Sequence, residues 1–163
     1  MRRLLALAAV ALAGALAAGT APVQAHGLLQ VEQLRTSNVA LPIWAIGGRY
    51  AASPKLLREL HRLTDRPARS PIKVVIVAQK TDIAQTPRLF GRPQAYAGFL
   101  ADLLEQQQVF AGPLVIVMSA GVGLQGVEVA GAGRLRPRGA GRWNVDPLLT
   151  TAIEVVNRIR HAT

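Results

Sequence analysis

Two apolar stretches decide the fold: residues 72–78 read IKVVIVA and residues 114–118 read LVIVM. Both stretches are rich in β-branched side chains and contain almost no polar ones. A continuous apolar run of this length is typical of a strand that is covered on both faces, as in a parallel sheet. We therefore predict that both stretches are buried strands of one sheet.

An amphipathic helix is predicted between the two strands, over residues 93–107. Its apolar side chains recur at helical spacing, which indicates one buried face. That face comprises Ala95, Tyr96, Phe99, Leu100, Leu103 and Leu104. A strand, a helix and a second strand in this order form a βαβ unit, in which the two strands run parallel.

The segments on either side extend this unit. Residues 39–46 favour another strand, and a helix is expected to begin at Ser53, with serine as its cap and proline in its first turn. Further along, residues 127–129 favour a short strand, and the last helix is expected to begin at Asp146. Alternating strands and helices predict an α/β fold.

The predicted domain covers residues 26–163, with its core at about residues 39–160. Residues 26–39 show no clear periodicity, and residues 131–142 form a basic loop rich in glycine and arginine. We expect three layers: a mostly parallel central sheet of three or four strands, with helices on both of its faces.

The composition limits the class of protein. The chain has 163 residues, and half of them are hydrophobic (50%), which suits one domain and excludes an intrinsically disordered chain. It has no cysteine, which excludes disulfides, thiolate zinc sites and iron–sulfur clusters. Its 19 Lys and Arg outnumber its 9 Asp and Glu, so that the net charge of +10 favours an anionic partner.

The first 25 residues have the three parts of a secretory signal peptide. Arg2 and Arg3 form a basic start, an uncharged run extends from Leu4 to Ala18, and a cleavage site of the A-x-A type ends at Ala25. Cleavage there predicts a secreted or extracytoplasmic protein with no transmembrane helix left. An uncleaved membrane anchor at the amino terminus stays open as the alternative, although the apolar run is short for a spanning helix.

Four segments resemble the TPM domain. These are VVIV at 74–77, Asp82-Ile83, Tyr96-Ala97 and GVGLQGV at 121–127, and the resemblance covers roughly residues 40–127. It is closest to small secreted bacterial proteins of this type, and it implies an extracytoplasmic α/β module. Some members of the family are phosphatases or photosystem-repair factors. Gln125 stands where the family carries a glutamate.

Polar side chains follow each of the two buried strands. In open α/β sheets, ligands bind beyond the carboxyl ends of parallel strands, so we expect a ligand crevice there. Its candidate residues are Lys80, Thr81, Asp82, Ser119, Gly121 and Gly123. No cofactor is expected beyond weak binding of Ca²⁺ or Mg²⁺, for which Asp82 is the candidate ligand. The alternative is that Asp82 only caps a turn.

The glycines of residues 121–126 also match the pattern G-x-G-x-x-G. A dinucleotide site needs a helix directly after this pattern, because the helix amino terminus binds the pyrophosphate. Residues 127–131 are strand-like and then glycine-rich instead. We therefore interpret residues 121–126 as a tight turn between strands.

The basic loop carries four arginines that can contact anionic lipid or cell-wall polymer: Arg134, Arg136, Arg138 and Arg142. Nucleic acid is not expected, because no aromatic platform interleaves with them. A merely solvated loop is the alternative.

Two hypotheses of function follow. The first is an exported module that binds a ligand or a protein partner outside the cytoplasm. The alternative is a weak metal-dependent phosphatase that uses the crevice around Asp82 and Ser119. The sequence does not decide whether the protein is an enzyme, and no residue is assigned a catalytic role.

Overall fold

A computed structural model describes residues 25–46, 51–66, 70–83, 85–141 and 143–162. The predicted signal segment therefore lies outside the described residues, except for its last alanine. The described helices and strands are α1 (Ala25–Thr36), β1 (Val39–Ala40), α2 (Pro54–Thr64), β2 (Lys73–Val77), α3 (Pro93–Gln106), β3 (Leu114–Met118), β4 (Gly121–Gln125) and α4 (Asp146–Ala162). No helix in these ranges is long and apolar enough to cross a membrane.

The sheet has four strands in the order β1-β2-β3-β4. β1 and β2 run parallel, as do β2 and β3, whereas β4 runs antiparallel to β3. Every residue of β2 and β3 is buried. The α/β class and the two buried strands are therefore confirmed, and the sheet is mixed.

The pleat of β2 explains why four of its five residues are apolar. Successive side chains of a strand point to opposite faces of the sheet. Val74 and Ile76 belong to one core cluster, together with Leu60 of α2. Val75 and Val77 belong to a second cluster, which contains residues of α1 and α3. Because both faces are covered, the strand carries apolar side chains except at Lys73, whose ammonium group reaches the carbonyls at the end of α1.

The secondary structure differs from four of the expectations. Residues 26–39 contain helix α1, and residues 127–129 form no strand. The fourth strand is β4, which coincides with the glycine segment that we interpreted as a turn. The first strand ends at Ala40 and does not continue to residue 46, because a short 3-10 helix follows at Ile43–Ala45.

Side-chain hydrogen bonds close the outer edges of the sheet. The hydroxyl of Ser37 donates to the carbonyl of Val39 at 3.1 Å and accepts from its N–H at 3.0 Å. In the same way, the amide of Gln33 bonds both the carbonyl and the N–H of Leu41. On the opposite edge, the amide of Gln94 bonds the carbonyl and the N–H of Leu124 in β4, at 2.7 and 3.0 Å. These contacts occupy backbone groups that the sheet leaves unpaired.

Two buried cations stabilise the carboxyl ends of helices. The ammonium of Lys73 donates to the carbonyls of Leu34 and Ser37 at the end of α1. Burial lowers the pKa of Lys73. The guanidinium of Arg160 donates to the carbonyl of Leu63 near the end of α2. Unpaired carbonyls and the helix dipole make each of these positions favourable for a positive charge.

Candidate functional site

A crevice of about 410 Å³ lies where the parallel strands β2 and β3 end. Lys80 and Thr81 begin the 3-10 turn that follows β2, and Ser119 directly follows β3. The structure thus brings these three candidate residues to one cavity. The other lining residues are Ala78, Gln79, Phe90, Ala140, Gly141 and Leu148.

The crevice carries a positive charge and no negative one. Lys80 contributes an ammonium group, and Thr81 and Ser119 contribute hydroxyl groups, while no lining residue is acidic. Phe90 and Leu148 supply apolar wall. An ammonium and two hydroxyls can all donate hydrogen bonds to an oxyanion, such as a phosphate or a carboxylate. The arrangement therefore favours a negatively charged group over a cation.

Asp82 is engaged on the other side of the turn and does not line the crevice. Its Oδ2 accepts hydrogen bonds from the N–H groups of Ala78 and Gln79, at 2.8 and 2.9 Å. Its Oδ1 accepts a hydrogen bond from the indole Nε1 of Trp44 at 3.4 Å. These bonds are those of a turn cap, which was the alternative reading of this residue. The described part of the chain contains no group of three or more His, Cys, Asp or Glu that could hold a metal ion.

A chain of buried hydrogen bonds joins the same turn to α1 and α3. The phenol of Tyr96 on α3 donates to Oε1 of Gln30 on α1. The Nε2 of Gln30 in turn donates to the backbone carbonyl of Asp82 at 3.2 Å. Burial raises the pKa of Tyr96, and the charge of Asp82 raises it further, so that the phenol stays protonated and able to donate. Two helices therefore fix the position of the turn that carries Lys80.

Neither of the two candidate glycines lines the crevice. Gly121 has a positive φ of 138°, and a Cβ there would lie 2.5 Å from Nη1 of Arg136. Gly123 pairs with Ile116 in the middle of β3, beneath the first turn of α3. A Cβ on Gly123 would fall inside contact distance of the backbone of Pro93 and Gln94. Close packing against backbone requires glycine at position 123, and the positive φ favours glycine at position 121. The ligand role that we expected for both glycines stays a prediction.

The basic loop forms a separate groove of about 720 Å³ with the amino-terminal turns of α4. Arg134, Arg136 and Arg138 line this groove, whereas Arg142 lies outside the described residues. Arg136 donates to the carbonyls of Gly133 and Leu135. Among the described residues, the side chains of Arg134 and Arg138 make no hydrogen bond or ion pair, and both residues are exposed.

The acidic side chains of this groove are already engaged. Asp146 Oδ1 accepts a hydrogen bond from the N–H of Ser53 at 2.9 Å, which joins the starts of α2 and α4. Glu154 forms an ion pair with Arg158 at 2.5 Å. Neither acid pairs with a described arginine of the loop, and the three arginines outnumber the two acids that line the groove, so the groove keeps a net positive charge.

An exposed apolar cluster beside the loop was missed by the sequence reasoning. The rings of Trp44 and Trp143 pack edge to face, with their centroids 5.3 Å apart. Ile43 and Ile46 are each 57% exposed and Trp143 is 40% exposed. The expected strand over residues 39–46 implied buried apolar side chains here. The only sequence signal against it was Pro42, which disfavours a central strand.

Comparison with protein-family models, with curated proteins and with solved structures finds no match. The similarity to TPM domains therefore stays a prediction.

Proposed function

We propose that the protein is an exported module of three-layer, TPM-like architecture that binds a small anionic group in the crevice at the ends of β2 and β3. The observation that carries the proposal is the lining of that crevice, with Lys80, Thr81 and Ser119 as donors and no acidic side chain. The export part rests on the amino-terminal sequence alone.

The position of the crevice supports the proposal independently of its charge. Ligands of open α/β sheets bind beyond the carboxyl ends of parallel strands, and β2 and β3 are the longest parallel pair in this sheet. The turn that presents Lys80 is held by the caps of Asp82 and by the Gln30 contact. A preorganised donor costs less to immobilise when the ligand binds.

The alternative, a weak metal-dependent phosphatase, would need Asp82 as a metal ligand or base. The carboxylate of Asp82 accepts bonds from two backbone N–H groups and an indole, so recruiting it would break the turn. The binding proposal needs no such rearrangement. The phosphatase therefore ranks second, and the experiment below includes an assay for it.

The proposal is tested by calorimetric titration of the purified protein with phenyl phosphate, which combines an oxyanion with an apolar ring. Loss of one charge-assisted hydrogen bond costs about 1.5 to 3 kcal/mol, so Lys80→Gln should weaken binding by about tenfold or more. Ser119→Ala should weaken it by up to about tenfold. Lys55→Gln is the matched control, since Lys55 is an exposed lysine outside the crevice.

Equal affinities of the Lys80→Gln variant and the unchanged protein would contradict the proposal, as would the absence of binding at millimolar phenyl phosphate. The same samples are assayed for hydrolysis of a chromogenic phosphomonoester with Ca²⁺ or Mg²⁺. Turnover that is lost in Asp82→Asn, at unchanged thermal stability, would support the phosphatase instead.

A further inference from the structure

The exposed apolar side chains of Ile43, Ile46 and Trp143, which we call the Ile–Trp patch, surround one turn: the two isoleucines flank Trp44, and Trp143 packs on the ring of Trp44. Four large apolar side chains stand out as exposed among the described residues, and three of them belong to this patch. Single exposed apolar side chains are ordinary, whereas a contiguous group of them marks an interaction surface. The Ile–Trp patch therefore has the properties of an interaction surface.

Backbone hydrogen bonds stabilise the turn that carries Ile43 and Ile46. The N–H of Ile46 donates to the carbonyl of Ile43, and the N–H of Ala52 donates to the carbonyl of Ala45. Trp44, between the two isoleucines, is fixed on its other side by the hydrogen bond to Asp82. Trp143 packs on Trp44, so the exposed side chains belong to a firm support rather than to a frayed end.

Positive charge lies next to the patch. Trp143 follows the basic loop directly, and the loop returns to its neighbour Asn144 through a bridge with Gly141. Arg138 and Asn144 line the same groove. Asp146 also lines that groove, but its carboxylate accepts from a backbone N–H and pairs with none of the three arginines of the loop. An apolar patch is thus bordered by a loop whose arginines outnumber the acids of the groove.

We propose that the Ile–Trp patch docks the protein onto a lipid bilayer that contains anionic lipids. Trp143 and the two isoleucines enter the boundary between headgroups and acyl chains, where tryptophan is favoured because its ring is apolar and its N–H is polar. Arg134, Arg136 and Arg138 then meet the headgroup phosphates. Apolar insertion and basic contact together supply the two signals that stable peripheral binding requires.

A bilayer fits this surface better than a protein partner does. The apolar part is small, since it consists of a single turn and one indole. The arginines beside it belong to a segment that contains no acidic residue among those described, namely residues 129–141, 143 and 144. This inference is independent of the anion crevice, since it uses neither Thr81 nor Ser119 and does not need Lys80.

The test is co-sedimentation of the purified protein with vesicles, together with tryptophan emission. One set of vesicles is phosphatidylcholine alone, and the other contains phosphatidylglycerol as well. We expect binding to the anionic vesicles with a blue shift of the emission, and much weaker binding to the neutral ones. All variants carry the same amino terminus, established by intact mass, so that residues 1–25 do not affect the comparison.

Two groups of variants separate the apolar and the basic contributions. Trp143→Ser and Ile43→Ser each remove one of the apolar side chains that enter the bilayer. Each should weaken binding by about tenfold or more. The double variant Arg134→Gln/Arg138→Gln should weaken it by about thirtyfold. The matched control is Phe99→Ser, because Phe99 is also 40% exposed but lies on α3. It should bind as the unchanged protein does.

Each contrary result overturns the proposal. If Trp143→Ser binds anionic vesicles as well as the unchanged protein, the attraction is electrostatic and the patch does not insert. If neither kind of vesicle binds, the membrane is not the partner. A concentration-dependent dimer that disappears in Trp143→Ser would assign the patch to a second copy of the chain.

Discussion

Gly123 lies where α3 approaches β4 most closely, and replacing it with alanine tests the packing of the whole sheet. A Cβ at this position would lie 2.6 Å from the backbone nitrogen of Gln94, and closer still to the carbonyl group of Pro93. These are backbone atoms of the first turn of a helix, which cannot rotate away as a side chain can. Gly123→Ala must therefore push the start of α3 off the sheet.

The expected cost has two parts. Carbon and nitrogen atoms pack at about 3.5 Å, so the helix start must recede by about 1 Å, and overpacking of this kind costs about 1 to 3 kcal/mol. The same movement strains the two hydrogen bonds that join the Gln94 amide to Leu124, each worth about 0.5 to 1.5 kcal/mol. We expect Gly123→Ala to lower the free energy of unfolding by about 2 to 6 kcal/mol.

Urea unfolding followed by circular dichroism measures this change. The control is Gly98→Ala in the same helix, where a Cβ would meet no atom within 4 Å. Alanine there should stabilise the protein by about 0.5 to 1 kcal/mol, because glycine is a poor residue for a helix interior. A loss of less than about 1 kcal/mol in Gly123→Ala would refute the reasoning, since it would mean that α3 does not sit tightly on β4.

Two further predictions concern buried groups that titrate. The pKa of Tyr96 is raised in the fold, so its stabilisation is complete below the unfolded pKa of about 10 and is lost as the pH rises above it. Tyr96→Phe, which removes the bond to Gln30, should lower the melting temperature at pH 7 but flatten its decline between pH 9 and 11; an unchanged decline would contradict this. Lys73→Met removes the cation from the carbonyl of Leu34 and should cost about 1.5 to 3 kcal/mol in urea unfolding at pH 7. The same substitution at the exposed Lys55 should cost little, and equal losses at both positions would show that the buried contact contributes nothing.

The parts of the fold that could be predicted are those in which local pattern and final environment agree. β2 and β3 are covered on both faces, so their sequences are apolar at every position except Lys73. α3 was expected over residues 93–107 and is found at Pro93–Gln106. α4 begins at Asp146 as expected, and Ser53 holds the cap position of α2. The hydroxyl of Ser53 makes no capping bond, because its helix start is tied to Asp146 through the backbone.

The parts that could not be predicted depend on distant partners. α1 lacks a clear apolar stripe because the buried Gln30 occupies a place in it, and Gln30 is satisfied by Tyr96, 66 residues away. β4 was interpreted as a turn because its glycines match G-x-G-x-x-G but lack the following helix that a dinucleotide site needs. Its glycines are explained only by the approach of Pro93 and Arg136, which no local pattern reveals.

The same distinction between local patterns and distant partners applies to the candidate site. Lys80, Thr81 and Ser119 were predicted to converge because parallel strands share a carboxyl edge, and they line one cavity. The Ile–Trp patch depends on a contact between Trp44 and Trp143, almost a hundred residues apart, and sequence spacing carries no signal for it.

The side chains that close the sheet edges also govern what this protein does in a crowded solution. An open edge strand offers its N–H and C=O groups to any other extended chain, and such pairing starts aggregation. Here Gln33 and Gln94 each present an amide, with one donor and one acceptor, which imitates a peptide of a neighbouring strand. Another chain must displace the glutamine amide before it can form hydrogen bonds with the edge strand. Two glutamines thereby stop the sheet from growing beyond four strands.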